Sequence, residues 1–148
     1  MWHLAEINVA RLIAPLTDPR VARFIAQLDA INALAERSPG FVWRLTATDG
    51  DPSAYVTFTD DDRVIVNMSV WTSIDALHRY VYSSDHGAIY RDRRQWFEPF
   101  GAPPFALWWI PAGHVPTLDE GRSKLAQLTN QGPTAEAFTF RQRFPPPD

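Results

Sequence analysis

The chain carries four histidines, His3, His78, His86 and His114, and no cysteine, so imidazole proton transfer is open to it while disulfides and thiolate metal sites are not. No H-x-H or H-E-x-x-H spacing occurs, so no metal site is expected. A helical run sets His86, Tyr90, Arg93 and Trp96 or Phe97 on one face. There His86 could act as general base or ligand near neutral pH, or it could simply cap the start of the helix. His78, beside Arg79, is a second candidate whose plain alternative is a solvated side chain. Arg93 could hold a carboxylate or enolate oxygen, whereas Arg94 reads as a surface charge pairing with Asp92 or Glu98. Glu6 and Asn8, two apart on one strand, could form a buried acid with its orienting amide, an arrangement that raises a carboxyl pKa, or else interface hydrogen bonds. Trp71, Trp96 and Trp108 suit a flat aromatic ligand, although tryptophans on strands and helices more often belong to the core. His114 reads as a loop anchor. No Gly-rich phosphate loop, G-x-S-x-G elbow or dinucleotide fingerprint is present.

These residues must be held by elements, and the apolar spacing indicates which. Trp2 to Val9 alternates with period two and predicts a strand. Asp18-Pro19 is an N-cap followed by proline, opening a helix through Val21, Phe24, Ile25, Leu28, Ile31 and Ala35 that Ser38-Pro39-Gly40 ends. Phe41 to Ala47 reads as a second strand. Ala54 to Thr59 could extend a hairpin whose solvated tip is Asp60-Asp61-Asp62. Val64 to Trp71 is the strongest strand pattern. Thr72-Ser73-Ile74-Asp75 resembles a capping box before a short helix through Leu77, Tyr80 and Val81, and the His86 segment follows until Pro99 and Gly101. Phe105 to Ile110 is a further strand. Thr117-Leu118-Asp119-Glu120 is a full capping box for a C-terminal helix that Gly132-Pro133 ends, and Ala137 to Phe140 is a candidate edge strand.

The order predicts an α+β fold, a ferredoxin-like βαββαβ antiparallel sheet with helices on one face, plus a C-terminal helix extension. Residues 1–112 form the core and 113–148 the extension of the same domain. Ala5, Ile7, Val9, Val64, Val66, Met68 and Val70 make an apolar face; Phe41, Trp43 and Leu45 likewise alternate against Val42 and Arg44. A bare apolar face is expected to meet a second copy of the chain about a two-fold axis. Glu6, Asn8, Arg44, Asn67, Ser69 and Trp71 then line a cavity under the helices, closed by His86, Tyr90, Arg93 and Trp96. With the faces reversed, the polar set lies in the interface between copies.

Composition narrows the function classes. The 148 residues are 45% hydrophobic and hold one domain, and a net charge of -3 without a basic block disfavours nucleic acid and anionic membrane partners. The N-terminus lacks the basic region and apolar run of a signal peptide, so a cytoplasmic location is expected.

Val70-Trp71-Thr72-Ser73-Ile74-Asp75-Ala76-Leu77-His78 followed by Ser84-Asp85-His86 resembles the pattern of antibiotic-biosynthesis-monooxygenase-like proteins in the dimeric α/β-barrel superfamily, with His78 and His86 set on its two histidines. Ser38 to Trp43, Asn67 to Trp71, Arg94 to Glu98, Leu107 to His114 and Ala137 to Phe140 resemble the bacterial family called domain of unknown function 3291. The resemblance implies a ferredoxin-like monomer whose sheet pairs into a dimeric barrel. Its relatives span cofactor-free monooxygenases, haem enzymes and lactone isomerases, so the fold alone assigns no reaction. Two readings follow. One is a cofactor-independent enzyme, monooxygenase-like or proton-transferring, acting on a small aromatic or polyketide-like molecule, with His86 exchanging a proton while Arg93 and Asn67 steady oxygen charge. The other is a non-catalytic small-molecule binding or sensing dimer, with haem binding a lesser option.

Overall fold

The computed structural model describes residues 1–46, 59, 61, 63–82, 97–98 and 105–148. Its central strand, β1 (Trp2–Leu12), is buried continuously from Leu4 to Ile7. Both faces of that strand must therefore be covered. A turn of 3-10 helix (Pro19–Val21), capped by the Asp18 side chain accepting from the Arg20 amide, leads into α1 (Ala22–Arg37). The chain then reverses at Gly40, whose φ of 87° and closeness to Ala76 leave no space for a Cβ. β2 (Phe41–Arg44), β3 (Val64–Trp71), α2 (Ile74–Val81), β4 (Phe97–Glu98), β5 (Phe105–Pro111) and α3 (Leu118–Gln131) complete the described order.

All pairings are antiparallel, running β2-β3-β1 with β5 on the far edge of β1. β5 pairs Trp2 to Asn8, and β4 continues that edge opposite Arg11 and Leu12. This is the ferredoxin-like sheet. β1 runs three residues beyond its expected end, and Phe97-Glu98 forms a strand where a helix end was expected. The expected helix over His86 to Trp96 and the hairpin over Ala54 to Phe58 lie outside the described residues. At the expected acidic tip, Asp61 pairs with Arg11 and Arg63, and Arg63 also reaches Glu98.

Two other expectations are corrected. A register shift between Phe41 and Trp43 breaks the alternation of β2, so Phe41 packs with Trp71 while Trp43 and Leu45 join the opposite face. The cap of α2 is Ser73, one residue later than the expected box begins, with its hydroxyl accepting from the Ala76 amide.

α1 and α2 pack on one face of the sheet. The other face is not bare: Leu125 and Leu128 of α3 join Ala5, Ile7, Val9, Met68, Val70, Ala106, Trp108 and Ile110 in one buried cluster. Gly121 makes this approach possible, since a Cβ there would sit 2.6 Å from Ile7 Cδ1. The chain's own helix thus covers much of the face expected to meet a second copy. Beyond α3, Phe138 exchanges both backbone hydrogen bonds with Leu107 at 2.8 Å, a single bridge in place of a full edge strand.

Candidate functional site

On the side of the sheet facing α1 and α2, the cross-strand rows are Leu4 with Trp71, Glu6 with Ser69, Asn8 with Asn67, and Ala10 with Ile65. Leu4 and Trp71 belong to an apolar cluster with Ala35 and Leu77. Ile65 packs at the other end with Leu12, Val21 and Phe24. Two polar rows therefore interrupt one layer between two apolar clusters.

Glu6 is 4% exposed. Ser69 donates to its Oε1 at 2.7 Å, and the Asn8 amide donates to its Oε2 at 3.0 Å. The Trp71 indole N–H in turn donates to Ser69 Oγ at 2.8 Å. Burial pushes the Glu6 carboxyl up to about 7, although the Asn8 and Ser69 hydrogen bonds pull the other way. At that value the acid and its carboxylate coexist near neutral pH, which suits a group that exchanges protons. Asn8 and Asn67 are both exposed, so the acid lies one row inside an open rim.

The Trp71 ring is fixed by its neighbours. Tyr80 stacks on it at 5.1 Å, and Phe41 meets it edge-on at 5.5 Å. The Tyr80 hydroxyl donates to the Ile31 carbonyl at 3.2 Å, tying α2 to α1. Burial, then the nearby Glu6 charge, raises the Tyr80 phenol well above its ordinary range, and Arg44 offsets part of this. Tyr80 therefore stays a neutral donor. Arg44 stands opposite Ser69 in the sheet, and its Nε is 2.7 Å from Glu36 Oε1.

Of the residues singled out from sequence, Glu6, Asn8, Ser69 and Trp71 are joined by hydrogen bonds, with Asn67 in the row of Asn8 and Arg44 in the row of Ser69. Trp108 is not among them: it lies on the opposite face, where its N–H donates to Glu120 at 2.9 Å. His78 turns elsewhere, against Tyr82 at 4.4 Å and Phe140 at 5.3 Å. His86, Tyr90, Arg93 and Trp96 lie outside the described residues. Phe41 and Tyr80 are additions to the site; the placement of Tyr80 beside Leu77 on one helix face was the available signal.

Among the described residues no three His, Asp or Glu side chains gather in a way that could hold a metal, and no helix is long and apolar enough to cross a membrane. A shallow cleft of about 310 Å³ lies between Ser73–Asp75 and the tail at Arg143–Pro146, over Trp109, and does not include Glu6.

The DUF3291 family, described as a domain of unknown function, matches residues 3–148. Among solved structures, SnoaB from Streptomyces nogalater, described as a cofactor-independent oxygenase, aligns with a TM-score of 0.50 and 18% identity over 78% of this chain and 97% of that one. A protein from Mycobacterium tuberculosis aligns with a TM-score of 0.50 and 14% identity over 78% of this chain and 99% of that one. A Pseudomonas aeruginosa protein gives 0.50 and 14% over 74% and 93%. At such identities the likeness shows a shared fold. No curated protein matches the chain.

Proposed function

The chain belongs to the DUF3291 family, and from that premise we propose a cofactor-independent enzyme that moves a proton on a small aromatic or polyketide-like molecule, with Glu6 as the proton-transfer group. The observation that carries this reading is a protonatable carboxyl buried behind an exposed pair of amides, in a layer otherwise closed by apolar side chains. The description of SnoaB as a cofactor-independent oxygenase is compatible with it. An enolisable or phenolic substrate at the Asn8–Asn67 rim would lose a proton to the Glu6 carboxylate. Its C–H or O–H bond breaks, the electron pair stays on the substrate as an enolate or phenolate, and the Asn67 amide donates to the new oxyanion. His86 and Arg93, carried forward from the sequence, would supply further proton exchange and charge balance.

The test is turnover of a panel of polyphenolic and β-dicarbonyl compounds by wild type and Glu6→Gln. Expected is a kcat/KM that climbs with pH through about 7, as the carboxylate forms, and a loss of about 10²-fold or more in Glu6→Gln. An unchanged kcat/KM in Glu6→Gln would reject the assignment. Ligand binding without turnover in wild type would assign the rim to binding alone.

A further inference from the structure

We propose that Ser69 and Trp71 are positioning residues that confine the Glu6 proton to Oε2, the oxygen beside Asn8, so that exchange runs through that single atom. The inference rests on the reading of Glu6 as the proton-transfer group and names the device that would aim it.

An indole N–H can only donate, and a serine hydroxyl has one proton to give. Trp71 donates to Ser69 Oγ at 2.8 Å, and Ser69 donates to Glu6 Oε1 at 2.7 Å. That direction makes Oε1 an acceptor in both protonation states. A proton on Oε1 would have to point at Ser69 Oγ, turning the Ser69 hydroxyl away from its buried acceptor and leaving it unpaired. Oε2 meets a different kind of partner. Asn8 carries a donor and an acceptor on one amide, and its exposure leaves that amide room to turn over. Its Nδ2 serves the carboxylate; its Oδ1 would accept from the carboxylic acid. The relay has a fixed end at Trp71 and a reversible end at Asn8.

Tyr80 and Phe41 hold the fixed end by clamping the Trp71 ring at 5.1 and 5.5 Å. Trp71→Phe keeps a six-membered ring between them and removes the N–H together with the pyrrole part of the buried indole. Ser69→Ala removes the whole bond to Oε1, and Ser69→Thr keeps a hydroxyl there.

Infrared spectra of protein carrying isotope-labelled glutamate, with Glu6→Gln as the subtraction standard, report the Glu6 carboxyl directly. Wild type should give one carbonyl band at a hydrogen-bonded frequency when Glu6 is neutral. Ser69→Ala should move the band to higher frequency and raise the Glu6 pKa by about one unit, the loss of one hydrogen bond to the anion. Ser69→Thr should restore both. Trp71→Phe should split the band as the proton spreads over both oxygens. A band that stays in place in Ser69→Ala, or stays single in Trp71→Phe, overturns the proposal. The spectra need no substrate. Band shifts as expected, together with a Glu6→Gln variant of undiminished turnover, would reject the catalytic reading while keeping the proton on Oε2.

Discussion

The two faces of the sheet share the same strands and obey different demands. Against α3 the side chains of Ala5, Ile7, Val9, Met68, Val70, Ala106, Trp108 and Ile110 form one buried apolar cluster. The buried Trp108 N–H within it is satisfied by Glu120 at 2.9 Å. Against α1 and α2, apolar clusters occupy the two ends, while Glu6, Ser69, Asn8 and Asn67 fill the middle. Stability does not explain that middle. A buried acid with polar partners is generally worth no more than a well-packed apolar set of the same volume. One face is spent on packing, and the other retains a group that can change charge.

The largest effect should come from breaking the packing face. Ile7 is fully buried there, and Ile7→Ala should lower the unfolding free energy by about 2–5 kcal/mol, read as a lower urea midpoint at unchanged slope. A loss under about 1 kcal/mol would mean that α3 does not cover Ile7 in solution. The polar face should respond to pH instead. Glu6 has a folded pKa raised to about 7 from an ordinary 4.5. Between those values the native state holds a proton that the unfolded state has released. Its contribution is fully present below about 4.5 and is lost as pH rises through about 7, a decline of about 3 kcal/mol. Glu6→Gln should remove that slope, so the variant gains on wild type as pH rises. Parallel stability curves for the two proteins would show that Glu6 is not buried as described.

Legibility in the sequence follows from the same contrast. Period-two alternation identified β3 with its bounds, and the two-residue spacing of Glu6 and Asn8 marked a possible acid–amide pair, because both facts are local. Ser69, the other partner of Glu6, lies 63 residues away; it meets Glu6 only through the register of β1 with β3, which no local pattern states. The bulge in β2 reversed the side assigned to Phe41 for a related reason, since parity survives only while a ladder is regular. Trp108 and Trp109 are sequence neighbours pointing to opposite faces, and one step of register decides which shares the side of the sheet that carries Glu6. α3 was visible as a capped helix, yet its narrow buried stripe of Gly121, Leu125 and Leu128 did not announce which surface it would cover. The capping box there is also half used: Thr117 accepts from the Glu120 amide, while the Glu120 carboxylate turns to Trp108 and His114.

Smaller changes on the packing face sharpen the comparison. Gly121→Ala drives a methyl against Ile7 and Met68 and should cost about 1–3 kcal/mol through overpacking. Its smaller analogue concerns the polar atom in that face. Glu120 sits at the start of α3, 2.9 Å from the Trp108 N–H and 2.8 Å from His114 Nε2. Burial pushes its carboxyl up, but the His114 and Trp108 hydrogen bonds outweigh this and hold it below the ordinary glutamate range. That contribution is present above the unfolded pKa and fades as pH falls, opposite in sign to Glu6. Glu120→Ala leaves the Trp108 N–H unpaired and should cost about 1 kcal/mol at neutral pH. Glu120→Gln retains an acceptor for Trp108 and should cost less, while losing the acid dependence. Equal losses in the two variants would mean that the Trp108 bond contributes nothing, leaving the packing face to rest on apolar contact alone.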